Sequence, residues 1–231
     1  MDENITFVSL GSHCEIAVHL NANHLRRAAF PFDWLLTCKH EHFCRIFDDN
    51  FVHFLDEHYF TQHPKYQYVI ENSYYEIEFR HDWPFPDLWS DMTRFGQQLE
   101  EMKQKYERRI HRFRQLRDYP GKVFFIRAAY DFQNDPNHYW GNDNIDQINA
   151  IQAQDIRDAL KRYFPALNFT LVIVNYLEEN VPTIKWTDKI IEFKIRKSNK
   201  QEDYASMFNF LLLLNNQMEV DSIGFKDAAR E

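Results

Sequence analysis

Two continuous apolar runs, KVFFIR at 122–127 and FTLVIVN at 169–175, constrain the fold of this chain more than any other feature. Each has the length of a strand and no polar alternation, which marks a strand buried on both faces, and strands of that kind belong to parallel sheets covered by helices. Between them a segment at 153–163 carries apolar residues at helical spacing, so the order strand, helix, strand predicts a right-handed crossover between parallel neighbours. A third run at 5–10 ends on Gly11 and leads into SHCEIAVHL, where Ile16, Ala17 and Leu20 recur with a helical period. The expectation is a strand, a tight turn and a helix capped by Ser12. Together these give an α/β protein: a mainly parallel central sheet with helices on both faces, in a Rossmann-like or esterase-like three-layer arrangement.

The remaining pattern adds elements to that frame. Residues 39–47 read as a helix capped by Thr37, with Phe43, Ile46 and Phe47 on its apolar side. From 66 to 80 the period changes to two, with Tyr75, Ile77 and Phe79 on one face and Glu76, Glu78 and Arg80 on the other. This predicts an added β-hairpin turning at Asn72 and Ser73, at the edge or rim of the central sheet, its charged face toward water. Seven apolar residues from Phe95 to Leu116 step by three or four, so 92–116 is a long amphipathic helix, closed by Pro120 and Gly121. A strand at 190–195 and a helix at 204–214 complete the reading. The polar stretch at 130–150 is too long for a minimal connection and is expected to be a functional or mobile loop. No repeat or composition break divides residues 1–231, so one domain is expected.

Composition narrows the function classes. With 27 basic and 35 acidic residues the net charge is −8, which gives no long-range attraction to nucleic acid or anionic lipid. The basic residues between Lys103 and Arg117 surround every side of the long helix except its apolar stripe, the pattern of a solvated surface. Three cysteines, Cys14, Cys38 and Cys44, are too few for a disulfide scaffold and predict free thiols in a reducing, cytoplasmic setting. No apolar run is long enough to span a bilayer. The phosphate-loop, dinucleotide and serine-hydrolase glycine motifs are absent, as are CxxC and HExxH, so neither metal nor cofactor is expected. The expected partner is a small-molecule or peptide substrate, and oligomeric state is not encoded in any readable pattern.

Three strand ends fall on informative residues: Gly11 with Ser12 and Cys14 just beyond, Arg127, and Asn175. In open α/β sheets ligands bind at the carboxyl ends of parallel strands, so these residues share one rim if the strands are neighbours. A thiol at the start of a helix meets the positive end of the helix dipole, and both favour a thiolate; a packed, inert thiol is the competing reading for Cys14. Of the 11 histidines, His81 is the best-placed base, following an alternating strand, preceding the rigid WPFP segment and adjoining Asp82. His13 is a weaker candidate, because adjacency in sequence to a cysteine carries no information. Asp33, inside PFDW, either caps a helix starting at Trp34 or orients a base. A guanidinium buried at Arg127 demands an anion, either Asp33, Asp82 or Asp131 internally or an acidic group of a substrate.

The segments VSLGSHC at 8–14, PFDW at 31–34 and FRHD at 79–82, with the basic helix leading into FFIR at 124–127, resemble a domain-of-unknown-function family described as putative papain-like cysteine peptidases. The resemblance runs from about residue 5 to beyond 175. It implies Cys14 as nucleophile, His81 as base, Asp82 or Asp33 as orienter, and a papain-like α+β fold as the alternative architecture. Two functional expectations follow. One is a cysteine-dependent hydrolase, whether peptidase, esterase or acyl transferase, with Gly11, Ser12, Arg127 and Asn175 around the substrate. The other is a non-catalytic or transferase-like domain that holds a sugar or nucleotide at the strand ends.

Overall fold

The computed structural model describes residues 4–37, 39–63, 66, 69–82, 92–130, 147–177, 182–187 and 189–215. A central sheet of five strands has the order β1 (Ile5–Ser9), β6 (Lys122–Ala128), β7 (Phe169–Leu177), β9 (Ile190–Arg196), β8 (Thr183–Thr187). The first four are parallel to their neighbours and β8 runs antiparallel on the outer edge. The three apolar runs thus lie side by side, with Val8 opposite Phe125 and Phe125 opposite Leu171.

Successive residues of a strand point to opposite faces, and Phe124 and Phe125 show what covers each. Phe124 stacks on Phe7 with ring centroids 5.4 Å apart, and Phe7 meets Phe208 of helix α5 (Lys200–Asn215). Helix α1 (Glu15–Ala22) lies on this side too, where His19 stacks on Tyr204 at 4.1 Å. Phe125 stacks on Phe164, at the end of helix α4 (Ala150–Tyr163), and meets Phe113 of helix α3 (Met92–Gln115). Helix α2 (His40–Asp48) joins that second layer through Phe47, which packs on Phe113 and Tyr163. The protein is therefore α/β with a mainly parallel central sheet and helices on both faces.

The predicted hairpin forms, as β4 (Ile70–Asn72) and β5 (Ile77–Phe79), but not at the edge of the central sheet. It sits in a second, antiparallel sheet ordered β2 (Leu36–Thr37), β5, β4, β3 (Phe60–Gln62). Ile77 and Phe79 pack into the core as expected, and Phe79 meets Phe54 and Tyr106. The charged face departs from expectation, because Glu78 is fully buried and is satisfied by the Arg80 Nε at 2.6 Å rather than by water. One apolar cluster contains side chains from both sheets.

Two predicted caps are corrected. The Ser12 hydroxyl does not cap α1; it donates to the Ala128 carbonyl at 2.6 Å, and Cys14 occupies the cap position without a side-chain cap bond. Thr37 does not cap α2 either, since it lies in β2 and its hydroxyl accepts from Arg127. In both cases a tertiary partner outcompetes the local amide. The cap that does form is unforeseen: Asn149 and Gln152 make a reciprocal capping box at α4. Most of the predicted 130–150 loop, residues 131–146, lies outside the described residues, as do Cys38 and the WPFP segment.

Arg127 is only 2% exposed, yet it pairs with neither Asp33 nor Asp82, which corrects the expected carboxylate anchor. Its Nη1 donates to the Leu10 carbonyl at 2.8 Å and the Thr37 hydroxyl at 2.9 Å, its Nη2 to the Thr37 carbonyl at 2.7 Å, and its plane lies 4.0 Å over the Phe43 ring. Among the described residues, two carbonyls, a hydroxyl and a ring face meet the charge. Replacing Arg127 with Met leaves the Leu10 and Thr37 acceptors buried without donors and should cost about 2–4 kcal/mol; the urea midpoint measures it, and an unchanged midpoint would show the guanidinium to be dispensable to the joint.

Candidate active site

The carboxyl ends of β1, β6 and β7 do meet at one rim, and the chain segment leaving β1 builds it. Gly11 has φ +75°, a conformation that favours glycine, and a Cβ there would lie 3.1 Å from the Phe32 carbonyl and 3.2 Å from the Thr37 hydroxyl. The turn therefore presses against β2, and the Thr37 amide donates to the Ser12 carbonyl at 2.9 Å. Ser12 is fully buried and its hydroxyl is taken by Ala128. Cys14 follows, half-buried at the start of α1.

The thiol is not the activated one the helix-start argument predicts. Burial pushes the Cys14 thiol up, Glu15 adds to the rise, and its own backbone amide and the Arg80 cation work against it without cancelling it. The short α1 and its half-buried position make desolvation the larger effect. At rest Cys14 is thus a neutral thiol that needs a base.

His81 is exposed, and its ring stands edge-on to Trp34 at 5.6 Å. Among the described residues no hydrogen bond joins it to Cys14 or to Asp82. The Asp82 carboxylate turns instead to α3, where it bonds to Lys105 and accepts from the Tyr106 hydroxyl at 2.9 Å. Asp33 accepts from Arg26 at 2.6 Å and from the Phe30 amide at 3.0 Å, which closes the PFDW turn. Its neighbour Phe32 meets five other phenylalanine rings. Arg127 is fully engaged in the joint described above. Asn175 is buried as well; its amide accepts from the Ile148 N–H at 2.7 Å and donates to the Ile148 carbonyl and to Glu192 at 2.8 Å, tying the approach to α4 onto β7.

A network that the sequence reading passed over lies beside the thiol. Glu15 Oε2 accepts from His13 Nε2 at 2.8 Å and from Lys200 Nζ at 3.0 Å, while Oε1 accepts from the Tyr176 hydroxyl at 3.0 Å. Burial opposes the charge on Glu15, but His13 and Lys200 outweigh it and hold the carboxyl at about 2. The Tyr176 and Tyr204 hydroxyls meet at 3.2 Å, and His13 stands edge-on to Tyr130. Its members come from α1, β7 and α5, distant in sequence, which is why no local pattern announced it.

A second polar group faces the other sheet. Glu71 lies directly opposite Glu78 across the β4–β5 pair, only 7% exposed and without a hydrogen bond or ion pair among the described residues. Burial first, then Glu78 and Glu76, push its carboxyl up to about 7. On the α4 side of the central sheet a cavity of about 400 Å³ opens between Ala150, Ala153, Ile173, Ile190 and Glu192, the last bonded to Asn175. Among the described residues no group of three or more His, Cys, Asp or Glu is arranged to hold a metal ion, and no helix is long and apolar enough to cross a membrane.

Fold and site together define an α/β protein that presents a cysteine at the carboxyl rim of its parallel strands. Residues 5–179 match the family described as "Putative papain-like cysteine peptidase", a domain of unknown function, and the chain belongs to that family. It is also similar to "Uncharacterized protein R408" of Acanthamoeba polyphaga mimivirus, 30% identical over 148 residues, which cover 56% of this chain and 64% of that relative. The match thus spans less than two thirds of the relative's own length. No solved structure matches the chain.

The Glu71 carboxyl gives a signed pH effect. An unfolded glutamate titrates near 4.5, so between pH 4.5 and about 7 the folded protein binds the extra proton, and stability falls as pH rises through that window. Glu71→Gln should stabilise the protein by about 1–2 kcal/mol at pH 8, after allowance for screening, and change little at pH 4. Urea unfolding at the two pH values checks this, and an equal shift at both would mean that charge is not the cause.

Proposed function

We propose that this chain is a cysteine-dependent hydrolase or acyl transferase with Cys14 as its nucleophile. The observation that carries the reading is the position of the thiol, partly exposed at the start of α1 on the rim where β1, β6 and β7 end. In this reading Cys14 Sγ attacks a carbonyl carbon while its proton passes to the His81 imidazole. The carbonyl π pair becomes an oxyanion, held by unpaired amides of the first turn of α1. The tetrahedral adduct collapses, the leaving group takes the proton from His81, and a water or an acceptor hydroxyl then cleaves the thioester and restores the thiol.

His81 must swing from Trp34 to engage the thiol. Asp33 and Asp82 serve this reading as braces: Asp33 fixes the turn that carries Trp34, and Asp82 fixes the FRHD segment to α3. Arg127 and Asn175 are engaged inside the protein; Arg80, whose Nε is bonded to Glu78, is the cation whose charge reaches Cys14, and it is the group assigned here to an acidic part of the substrate. Substrate binding in a reducing compartment, cytoplasmic in the simplest case, is part of the same proposal, as is a single domain over residues 1–231.

A second reading is favoured by one observation, the raised thiol with no base bonded to it at rest. In it the chain binds a sugar or nucleotide at the strand ends, and Cys14 only packs. Alkylation separates the two. Cys44, buried and pushed up to about 11, is an internal control for an inert thiol. If Cys14 is the nucleophile, iodoacetamide at pH 7.5 should label it at least about tenfold faster than Cys44, and His81→Ala should slow it severalfold. A Cys14 labelled only after denaturation would instead put the binding reading first.

A further inference from the structure

We propose that helix α5 is part of the Cys14 site: Lys200 holds the Glu15 carboxylate and offsets its charge beside the thiol, so that Lys200 and Glu15 tune the nucleophile with opposite sign. The inference rests on the reading of Cys14 as nucleophile but adds Glu15, which lies outside the motifs, and Lys200, which lies beyond the matched segment that ends at 179.

The geometry leads to this assignment in three steps. Glu15 is the residue next to Cys14, and its negative charge disfavours the thiolate. Left loose, a carboxylate at that position would be a direct competitor of the anion that must form during attack. The carboxylate is not loose. Lys200 Nζ at 3.0 Å, His13 Nε2 at 2.8 Å and the Tyr176 hydroxyl at 3.0 Å donate three bonds to it, with side-chain exposures of only 13% for Glu15 and 24% for Lys200. These bonds draw the carboxylate toward β7 and α5, and the lysine, which also lies 4.5 Å over the Tyr176 ring, cannot follow solvent without leaving both partners.

The groups that face this pair from the packed elements are few. His13 and His19 come from the α1 region, Tyr176 from β7, Tyr204 and Lys200 from α5, and Arg80 acts on the thiol from beyond β5. Tyr204 is fully buried and burial keeps its hydroxyl well above the usual tyrosine range, so it is a neutral bystander near pH 7. His19 is pushed down by burial, which leaves its stacked ring uncharged under the same conditions. Lys200 is therefore the fixed cation that balances Glu15, with His13 as the second donor. Residue 200 in sequence thus acts on residue 14 in space, and α1 and α5 pack on the same face of the sheet to make that contact possible.

The test titrates the Cys14 thiol by its thiolate absorbance near 240 nm, as the difference from Cys14→Ser, and in parallel measures its alkylation rate at pH 7.5. Glu15→Gln keeps most of the hydrogen bonding and removes the charge; thiolate formation should shift to lower pH and alkylation rise about threefold. Lys200→Met should move both the other way by a similar factor, and Lys200→Arg should restore parent behaviour, which a loss of packing alone would not predict. Far-UV circular dichroism confirms that each variant is folded. Shifts of the same sign in Glu15→Gln and Lys200→Met, or none in either, overturn the inference while leaving a reactive Cys14 in place. A Cys14 that titrates as expected but resists alkylation in the parent defeats the nucleophile reading and leaves the electrostatic coupling standing.

Discussion

A guanidinium with almost no access to water must find its acceptors inside the protein, and Arg127 finds them where the central sheet meets β2 of the second sheet. It projects from β6 of the central sheet and binds Leu10 at the end of β1 and Thr37 of β2, with the Phe43 ring of α2 beneath it. Because an Arg donor fork is planar and rigid, these acceptors are fixed in relative position as well as joined. The Gly11 turn passes through the same joint against Phe32 and Thr37, and Cys14 stands three residues on. The location of the thiol therefore depends on a buried charge whose donors reach the carbonyls of Leu10 and Thr37.

Seen from that joint, the sequence motifs divide their labour. In PFDW the Phe32 ring is a hub of the aromatic core and Asp33 closes the turn through Arg26 and Phe30. In FRHD, Arg80 neutralises the buried Glu78 and Asp82 reaches α3. Among the described residues of these motifs, Cys14, His81 and Trp34 keep side chains that are partly or fully exposed and uncommitted to hydrogen bonds, and of the three only the thiol and the imidazole can carry nucleophilic or acid–base chemistry. The chemistry proposed here is carried by a small remainder of what the motifs contain.

Much of the fold was legible because it rests on local periodicity. The runs in β1, β6 and β7 have no alternating polar face to place in water, and the stripe from Leu99 to Phe113 has one face to bury, so both could be read from spacing alone. What escaped had long-range causes. The hydroxyls of Ser12 and Thr37 looked like helix caps, and each bonds to a residue about a hundred positions away or close to it. Strand β8 lacked a clear alternation because it is an edge strand with three exposed side chains. At the site, the strand-end rule placed Cys14, Arg127 and Asn175 at the rim correctly but could not tell which of them was already spent on structure. The Glu15 network was invisible for the same reason as the caps: its partners, Tyr176 and Lys200, lie 161 and 185 residues along the chain.

The strand order has a consequence for how the molecule holds together as a unit. The segment that defines the family ends at residue 179, just past β7, whereas the neighbour of β7 on its outer side is β9, which comes later. A chain cut at 179 would leave β7 as an open edge, with the row of amides and carbonyls that β9 covers unpaired along Leu171–Leu177. Such an edge is a template for pairing with other copies. Strands β9 and β8 are thus the guard of the sheet: they cover β7 and leave as its edge a five-residue strand with Lys185, Trp186 and Thr187 exposed.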